Sequence, residues 1–183
     1  MLPDRIFLID HGPSLVSAWR TAFEDIDAVH PIEADFFSQD ADCMVSPANS
    51  YGIMDGGLDL AIRDALGFRI EKTVQAAILE NHHGELPVGA AELVRTSHSR
   101  WPFLVAAPTM RVPENIANTT HAYLAFRAIL LTVQRHNERT DVPIRSLLCP
   151  GLGTGIGGLA PQRCAVQMRL AYKHVTAPAR IPS

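Results

Sequence analysis

One stretch of the chain, residues 45–67, restricts the fold more than any other. An apolar run that ends at Val45 suits a buried strand, and a loop that contains Gly52, Gly56 and Gly57 follows it. The apolar residues after the loop are spaced as one face of a helix, which Gly67 ends. A strand that passes through a glycine loop into a helix N-terminus favours anion binding, because the first-turn amides have no partner within the helix.

A second stretch of the same kind occupies residues 149–159, with the sequence CPGLGTGIGGL. It follows an apolar run that begins at Ile144 and precedes another helical pattern, and its glycines are too many for a plain turn. A Walker-type loop is excluded because no Lys-Ser/Thr pair follows the glycines. A dinucleotide fingerprint is excluded because this loop follows the last predicted strand and not the first. Two such units predict one ligand that is bound from two sides.

Composition limits the classes of partner. A chain of 183 residues with 47% hydrophobic and 19% charged residues is typical of one globular domain. Its net charge of −3 gives no basic surface for duplex DNA or an anionic membrane, so an anionic ligand would have to be held by local backbone geometry. The three cysteines, Cys43, Cys149 and Cys164, lack metal-type spacing and are interpreted as buried apolar residues in a reducing compartment, by default the cytoplasm.

Strands and helices alternate along the chain. Strands are predicted at residues 5–10, 26–35, 43–46, 90–96, 103–107 and 144–149. One helix is predicted to begin at Gly12 and Pro13, and others at residues 58–66, 68–81, 115–138 and 161–174. This order predicts helices on both faces of one sheet. Open α/β sheets bind ligands at the carboxyl ends of their strands, so Asp35, Asn49 and the two loops at 109–111 and 151–158 are predicted to share one rim.

The paired motifs PANSYGIMDGG and PGLGTGIGG resemble the two ligand loops of the macro domain, the ADP-ribose-binding module, and the likeness covers nearly the whole chain. They are most similar to the branch that includes phage-tail-associated macro domains and ADP-ribose-1″-phosphate phosphatases. The resemblance implies a three-layer α/β/α sandwich around a mostly parallel, mixed sheet of about six strands. The chain length predicts a single macro-like domain over residues 1–176, and the tail at 177–183, which contains two prolines, is predicted to be flexible.

The resemblance further implies that ADP-ribose or a derivative binds without a metal or cofactor, with ADP-ribosylated protein as a candidate partner. Adenine is expected beside Asp35 and Phe36, although the residues alone favour a solubilising carboxylate at a strand end for Asp35. The distal ribose is expected against Asn49. The other expected ligand residues are Gly52, Ile53, Met54, Gly56, Gly57, Thr109, Gly151, Leu152, Gly153, Thr154, Gly155 and Ile156. Arg111 is either a phosphate ligand or simply exposed.

Three residues are candidates for catalysis: Asn49, Asp59 and Asp55. In hydrolases of the family an asparagine and an aspartate embrace the distal ribose, and Asn49 and Asp59 match them. An alternative is that Asp59 only stabilises its helix and pairs with Arg63. The chain departs from the family pattern at Ser46, where hydrolases have asparagine, and at Asp55, where they have glycine.

Two reactions therefore remain open. One removes the terminal phosphate of ADP-ribose-1″-phosphate, and the other cleaves a bond between ADP-ribose and a protein or nucleic acid group. The alternative is a binding module without turnover, such as a reader of ADP-ribose or a phage-morphogenesis partner.

Overall fold

A six-stranded sheet runs through the middle of the molecule in the computed structural model, which describes residues 1–183. Its strands are β1 (Arg5–Asp10), β2 (Val29–Glu33), β3 (Cys43–Ser46), β4 (Glu92–Arg95), β5 (Phe103–Ala106) and β6 (Ser146–Cys149). They are arranged in the order β2-β1-β6-β3-β5-β4. Only β4 runs antiparallel to its neighbour, so the carboxyl ends of the other strands lie on one rim.

Helices cover both faces of this sheet. They are α1 (Pro13–Ala22), α2 (Gly57–Leu66), α3 (Arg69–His82), α4 (His121–Asn137) and α5 (Pro161–Thr176). Along β1, Ile6 and Leu8 belong to the core under α1, α4 and α5, whereas Phe7 and Ile9 belong to the core under α2 and α3. The predicted three-layer α/β/α sandwich with a mixed sheet is confirmed. No helix combines the length and the apolar character that crossing a membrane requires.

The central strands are the ones with continuous apolar sequence. Every residue of β3, β5 and β6 is buried, as expected for parallel strands that are covered on both faces. The edge strand β2 contains Pro31, which an edge position tolerates because one side of the strand needs no ladder hydrogen bond.

Two predicted boundaries were wrong by three residues or more. The second strand begins at Val29 and not at residue 26, because the segment before it forms a turn in which the Val29 amide donates to the Ile26 carbonyl at 3.1 Å. The longest helix begins at His121 and not at residue 115. There the Asn115 side chain accepts a hydrogen bond from the Ala117 amide at 2.9 Å, which favours a turn over a helix.

The last helix ends at Thr176, and residues 177–183 contain neither helix nor strand. The flexibility of this tail stays a prediction.

Candidate functional site

A cavity of about 340 Å³ lies at the carboxyl rim of the sheet, between the two glycine loops. Most of the predicted ligand and catalytic residues line it: Asn49, Ile53, Asp55, Gly56, Gly57, Asp59, Thr109, Gly151, Gly153, Thr154, Gly155 and Ile156. A larger depression of about 560 Å³ lies between α1 and α5, but no ionisable side chain lines it. The rim cavity is therefore the candidate site, since it alone of the two combines glycine loops with titratable groups.

The second glycine loop is held in one shape from beneath. Gly153 has a φ of +77°, a backbone conformation that side chains with a Cβ rarely adopt, and a Cβ there would clash with Ile116. The Ile116 amide donates to the Gly157 carbonyl at 2.8 Å, and the Leu159 amide donates to the Gly153 carbonyl at 3.0 Å. Leu152 is fully buried in the core and anchors the loop without lining the cavity.

This arrangement leaves a row of backbone donors at the cavity. None of the amides of residues 153–157 donates a hydrogen bond to another protein atom, and the same holds for residues 55–59 at the start of α2. Backbone N–H groups without a partner are strong anion-binding groups, above all where several are adjacent or begin a helix. The rim can therefore hold an anion without a cationic side chain.

Asn49 shapes the first loop with its own side chain. Its Oδ1 accepts hydrogen bonds from the amides of Tyr51, at 3.0 Å, and Ile53, at 3.2 Å. Its Nδ2 donates to the Ile53 carbonyl at 2.8 Å. Asn49 lines the cavity as predicted, but both ends of its carboxamide are already engaged in the loop.

Two predicted ligand residues support the first loop from below and do not line the cavity. Met54 is buried, and its amide donates to Glu71 Oε2 on α3 at 2.6 Å. Gly52 has a φ of +64° and lies against Val74 and Ile78 on the same helix. Their direct contact with a ligand stays a prediction.

Asp59, in the first turn of α2, is the most strongly perturbed acid of the site. Its side chain is buried, with the residue only 9% exposed, and Ser46 Oγ donates to its Oδ1 at 2.6 Å. Burial raises the pKa of Asp59 to about 6; the Ser46 hydrogen bond opposes this shift, and the negative charge of Asp55 adds to it. The alternative pairing with Arg63 was wrong, because the Arg63 Nε lies near Asp64 Oδ1, at 3.7 Å.

The charge of the cavity wall is negative. Three carboxylates line it, those of Asp10, Asp55 and Asp59, and no lysine, arginine or histidine side chain does. Arg111 is exposed and forms an ion pair with Glu85, so the interpretation of Arg111 as an exposed residue is confirmed. Nowhere do three or more His, Cys, Asp or Glu side chains gather in an arrangement that could hold a metal ion.

The predicted adenine residues lie away from this wall. Asp35 Oδ1 accepts a hydrogen bond from the Phe37 amide at 2.9 Å and so caps the short 3₁₀ helix Phe36–Ser38. Phe36 is buried and packs edge-to-face on Phe37. Neither Asp35 nor Phe36 lines the cavity, and their contact with adenine stays a prediction.

Sequence reasoning missed several lining residues. The most informative is Asp10, at the carboxyl end of β1, whose Oδ1 accepts a hydrogen bond from the Gly12 amide at 2.6 Å. The rule that placed Asn49 on the rim applies equally to Asp10 and would have found it. The others are Pro47, Ala48, Leu58, Pro113 and Pro150, whereas Met110 and Gly157 belong to the two loops that were predicted to share the rim.

Both glycine loops lie in the part of the chain that is similar to known proteins. A family model described as Macro domain matches residues 45–168, which includes both of them. A protein of Aquifex aeolicus is 33% identical over 131 residues, which are 70% of this chain and 71% of that protein. A protein of Aeropyrum pernix is 32% identical over 133 residues, which are 72% of this chain and 63% of that protein.

Solved structures with low sequence identity share the fold. The macrodomain of Mycobacterium tuberculosis DarG has a TM-score of 0.63 at 19% identity, covering 78% of this chain and 88% of that one. The Oceanobacillus iheyensis macrodomain with ADP has a TM-score of 0.62 at 20% identity, with coverages of 76% and 72%. Thermosipho africanus DarTG in complex with ADP-ribose has a TM-score of 0.61 at 19% identity, with coverages of 97% and 55%. Because the family model spans more than half of its length, this chain belongs to the macro domain family.

Proposed function

We propose that the protein binds ADP-ribose or a derivative of it in the rim cavity. The diphosphate lies over the second glycine loop, and the distal ribose lies beside Asn49, Gly56 and Gly57. One observation carries this proposal: the amides of residues 153–157 have no protein partner, in a cavity that has no cationic side chain. Such a site suits an anion that is recognised by backbone donors. The ligands named for the structures of O. iheyensis and T. africanus, ADP and ADP-ribose, support the choice.

We further propose that the protein cleaves a bond at the distal ribose, either as an ADP-ribose-1″-phosphate phosphatase or as an ADP-ribosyl hydrolase. Asp59 orients the attacking water and accepts its proton. A carboxyl group whose pKa is raised to about 6 can take up and release a proton near neutral pH, which general acid–base catalysis requires. Asp55, which also lines the cavity, is the alternative for this role.

A binding module without turnover is the second candidate function. It is supported by the hydrogen bonds of Asn49. The Asn49 carboxamide already donates and accepts within the first loop, and so it has less capacity to orient a ribose. The two candidates share the ligand and differ only in turnover.

Calorimetric titration of the purified protein tests the shared part. ADP-ribose should bind with micromolar affinity, about −8 kcal/mol, and AMP clearly more weakly because it lacks the second phosphate and the distal ribose. The same titration with ADP-ribose-1″-phosphate should give continuing heat after saturation if the phosphate is removed. A folded protein that binds none of the three compounds would contradict the ligand assignment.

Asp59→Asn tests turnover. This change keeps the side-chain volume and an oxygen that can accept from Ser46, but it removes the base. On any substrate that the wild type cleaves, kcat should fall at least about tenfold, and by up to the hundredfold or more that a positioned base supplies. The control is Asp64→Asn, which removes the same charge from an exposed position on the same helix. This variant should keep full turnover. Full turnover by Asp59→Asn would assign catalysis to another group.

We also propose the reducing cytoplasm as the location. All three cysteines are free and buried, and burial raises the pKa of their thiols, to about 12 for Cys164. They therefore act as apolar core residues and not as redox or disulfide groups. ADP-ribosylated protein is the macromolecular substrate that this assignment would make available.

A further inference from the structure

We infer that Asp55 is a specificity-determining residue that makes the distal-ribose end of the cavity reject a terminal phosphate. The preferred ligands are then ADP-ribose and derivatives whose distal ribose carries a substituent without negative charge. This inference rests on the proposed binding of ADP-ribose, and it narrows the two reactions to cleavage of a bond to an uncharged group.

The two loops differ in charge, and this difference determines which loop binds the diphosphate and which lies beside the distal ribose. Residues 151–158 of the second loop include no acidic side chain, whereas the first loop and its helix carry Asp55 and Asp59. Acidic side chains at a helix N-terminus already complement the partial positive charge there. The α2 end of the cavity therefore already contains the negative charges that its N-terminus favours, those of Asp55 and Asp59. The diphosphate is bound by the uncharged amides of the second loop.

The Asp59 carboxyl group is aimed at the cavity and is only partly compensated. It is nine-tenths buried and lines the wall, Ser46 Oγ binds one of its oxygens, and the other oxygen makes no hydrogen bond to the protein. Asp55 is exposed at the same wall, close enough for its charge to oppose ionisation of Asp59. A neutral hydroxyl or amide on the distal ribose can donate to these oxygens, whereas a phosphate there adds negative charge beside them.

No cationic side chain of the cavity wall offsets this repulsion. The cavity wall has no lysine, arginine or histidine side chain. Arg111 is on a neighbouring loop, but its guanidinium is held by Glu85. Asp10, the third carboxylate, is compensated by the Gly12 amide that precedes α1. Asp55 is thus the acidic group of the wall with no hydrogen bond to the protein and with the greatest exposure to a ligand.

The test compares the affinities of ADP-ribose and ADP-ribose-1″-phosphate for the wild type, Asp55→Asn and Asp64→Asn, with phosphate release followed in parallel. The wild type should bind ADP-ribose at least about tenfold more tightly than the phosphorylated compound, on the scale of one strong charge interaction. Asp55→Asn should shrink this ratio at least about threefold, through tighter binding of the phosphorylated compound. Asp64→Asn removes the same charge outside the cavity and should leave the ratio unchanged.

Salt provides an independent readout. Because the exposed charge of Asp55 is screened by ions, raising the NaCl concentration should shrink the ratio for the wild type and change it less for Asp55→Asn. Equal wild-type affinities for the two compounds, or a ratio that Asp55→Asn does not move, would overturn the inference. Failure of the wild type to bind ADP-ribose itself would instead refute the proposed function, so the two failures are distinct.

Discussion

Asp59→Asn should stabilise the protein by about 2–3 kcal/mol at pH 7.5, and this gain should disappear as the pH falls below about 4. The folded state holds the pKa of Asp59 at about 6, above the ordinary value of 3.8, because the carboxyl group is buried. Between these two values the unfolded chain ionises and the folded chain does not, so wild-type stability falls as the pH rises through that window. Asparagine does not ionise in this pH range, so the variant avoids the cost of a buried negative charge.

Urea denaturation at several pH values between 4 and 7.5 measures the effect. The unfolding free energies of wild type and Asp59→Asn should diverge as the pH rises and run parallel above pH 6 to 7. Asp64→Asn, at an exposed position, should track the wild type throughout. Parallel curves for wild type and Asp59→Asn over the whole range would mean that the Asp59 carboxyl group is hydrated and not desolvated.

Gly153→Ala should weaken ADP-ribose binding about thirtyfold or more, equivalent to ~2 kcal/mol. The residue has a φ of +77°, and its new Cβ would collide with the side chain of Ile116, which is buried and has little room to move. The strained backbone and this contact shift the loop, and the cavity-lining residues 153–157 move from the positions that they hold in the wild type. Hydrogen bonds to a charged ligand are each worth about 1.5–3 kcal/mol, so the loss of even one accounts for the expected change.

The matched control is Gly84→Ala. Gly84 also has a positive φ, +90°, but it lies after α3, outside the cavity. Both variants should lose about 1–2 kcal/mol of stability from the left-handed conformation, and Gly153→Ala should lose more because of its clash with Ile116. Only Gly153→Ala should lose affinity. Calorimetry on both, with unfolding curves to show that they are folded, separates the two effects. Unchanged binding by a folded Gly153→Ala would remove the second loop from the diphosphate site.

The backbone of the site followed from local patterns in the sequence. The spacing after Val45 and after Cys149 predicted both strand–loop–helix units, and the family resemblance was confirmed. These features depend on residues near one another in the chain, where periodicity and glycine carry information. The prediction that a helix begins at residue 115 was also wrong for a local reason. The Asn115 side chain accepts a hydrogen bond from the backbone of its own turn, which favours the turn over the helix.

The side-chain chemistry of the site did not follow from those patterns. The hydrogen bond from Ser46 to Asp59 joins a strand end to a helix across the first loop, and only the packed structure brings the two together. The resemblance placed the distal ribose against Asn49, but in the folded loop both ends of this carboxamide are engaged by Tyr51 and Ile53. Burial of Asp59, which sets its pKa, likewise depends on packing that no local pattern contains.

The position of β6 determines when the sheet can close during synthesis of the chain. This strand comes last in the chain, yet it lies between β1 and β3 and is the only strand that joins the two sides of the sheet. During synthesis the first five strands can form only two separate pieces, β1 with β2 and β3 with β5 and β4. Such long-range closure slows folding, and the nascent chain has no second loop and no rim cavity until β6 and the residues after it have emerged. Ligand binding on the ribosome therefore has to wait until these residues have emerged.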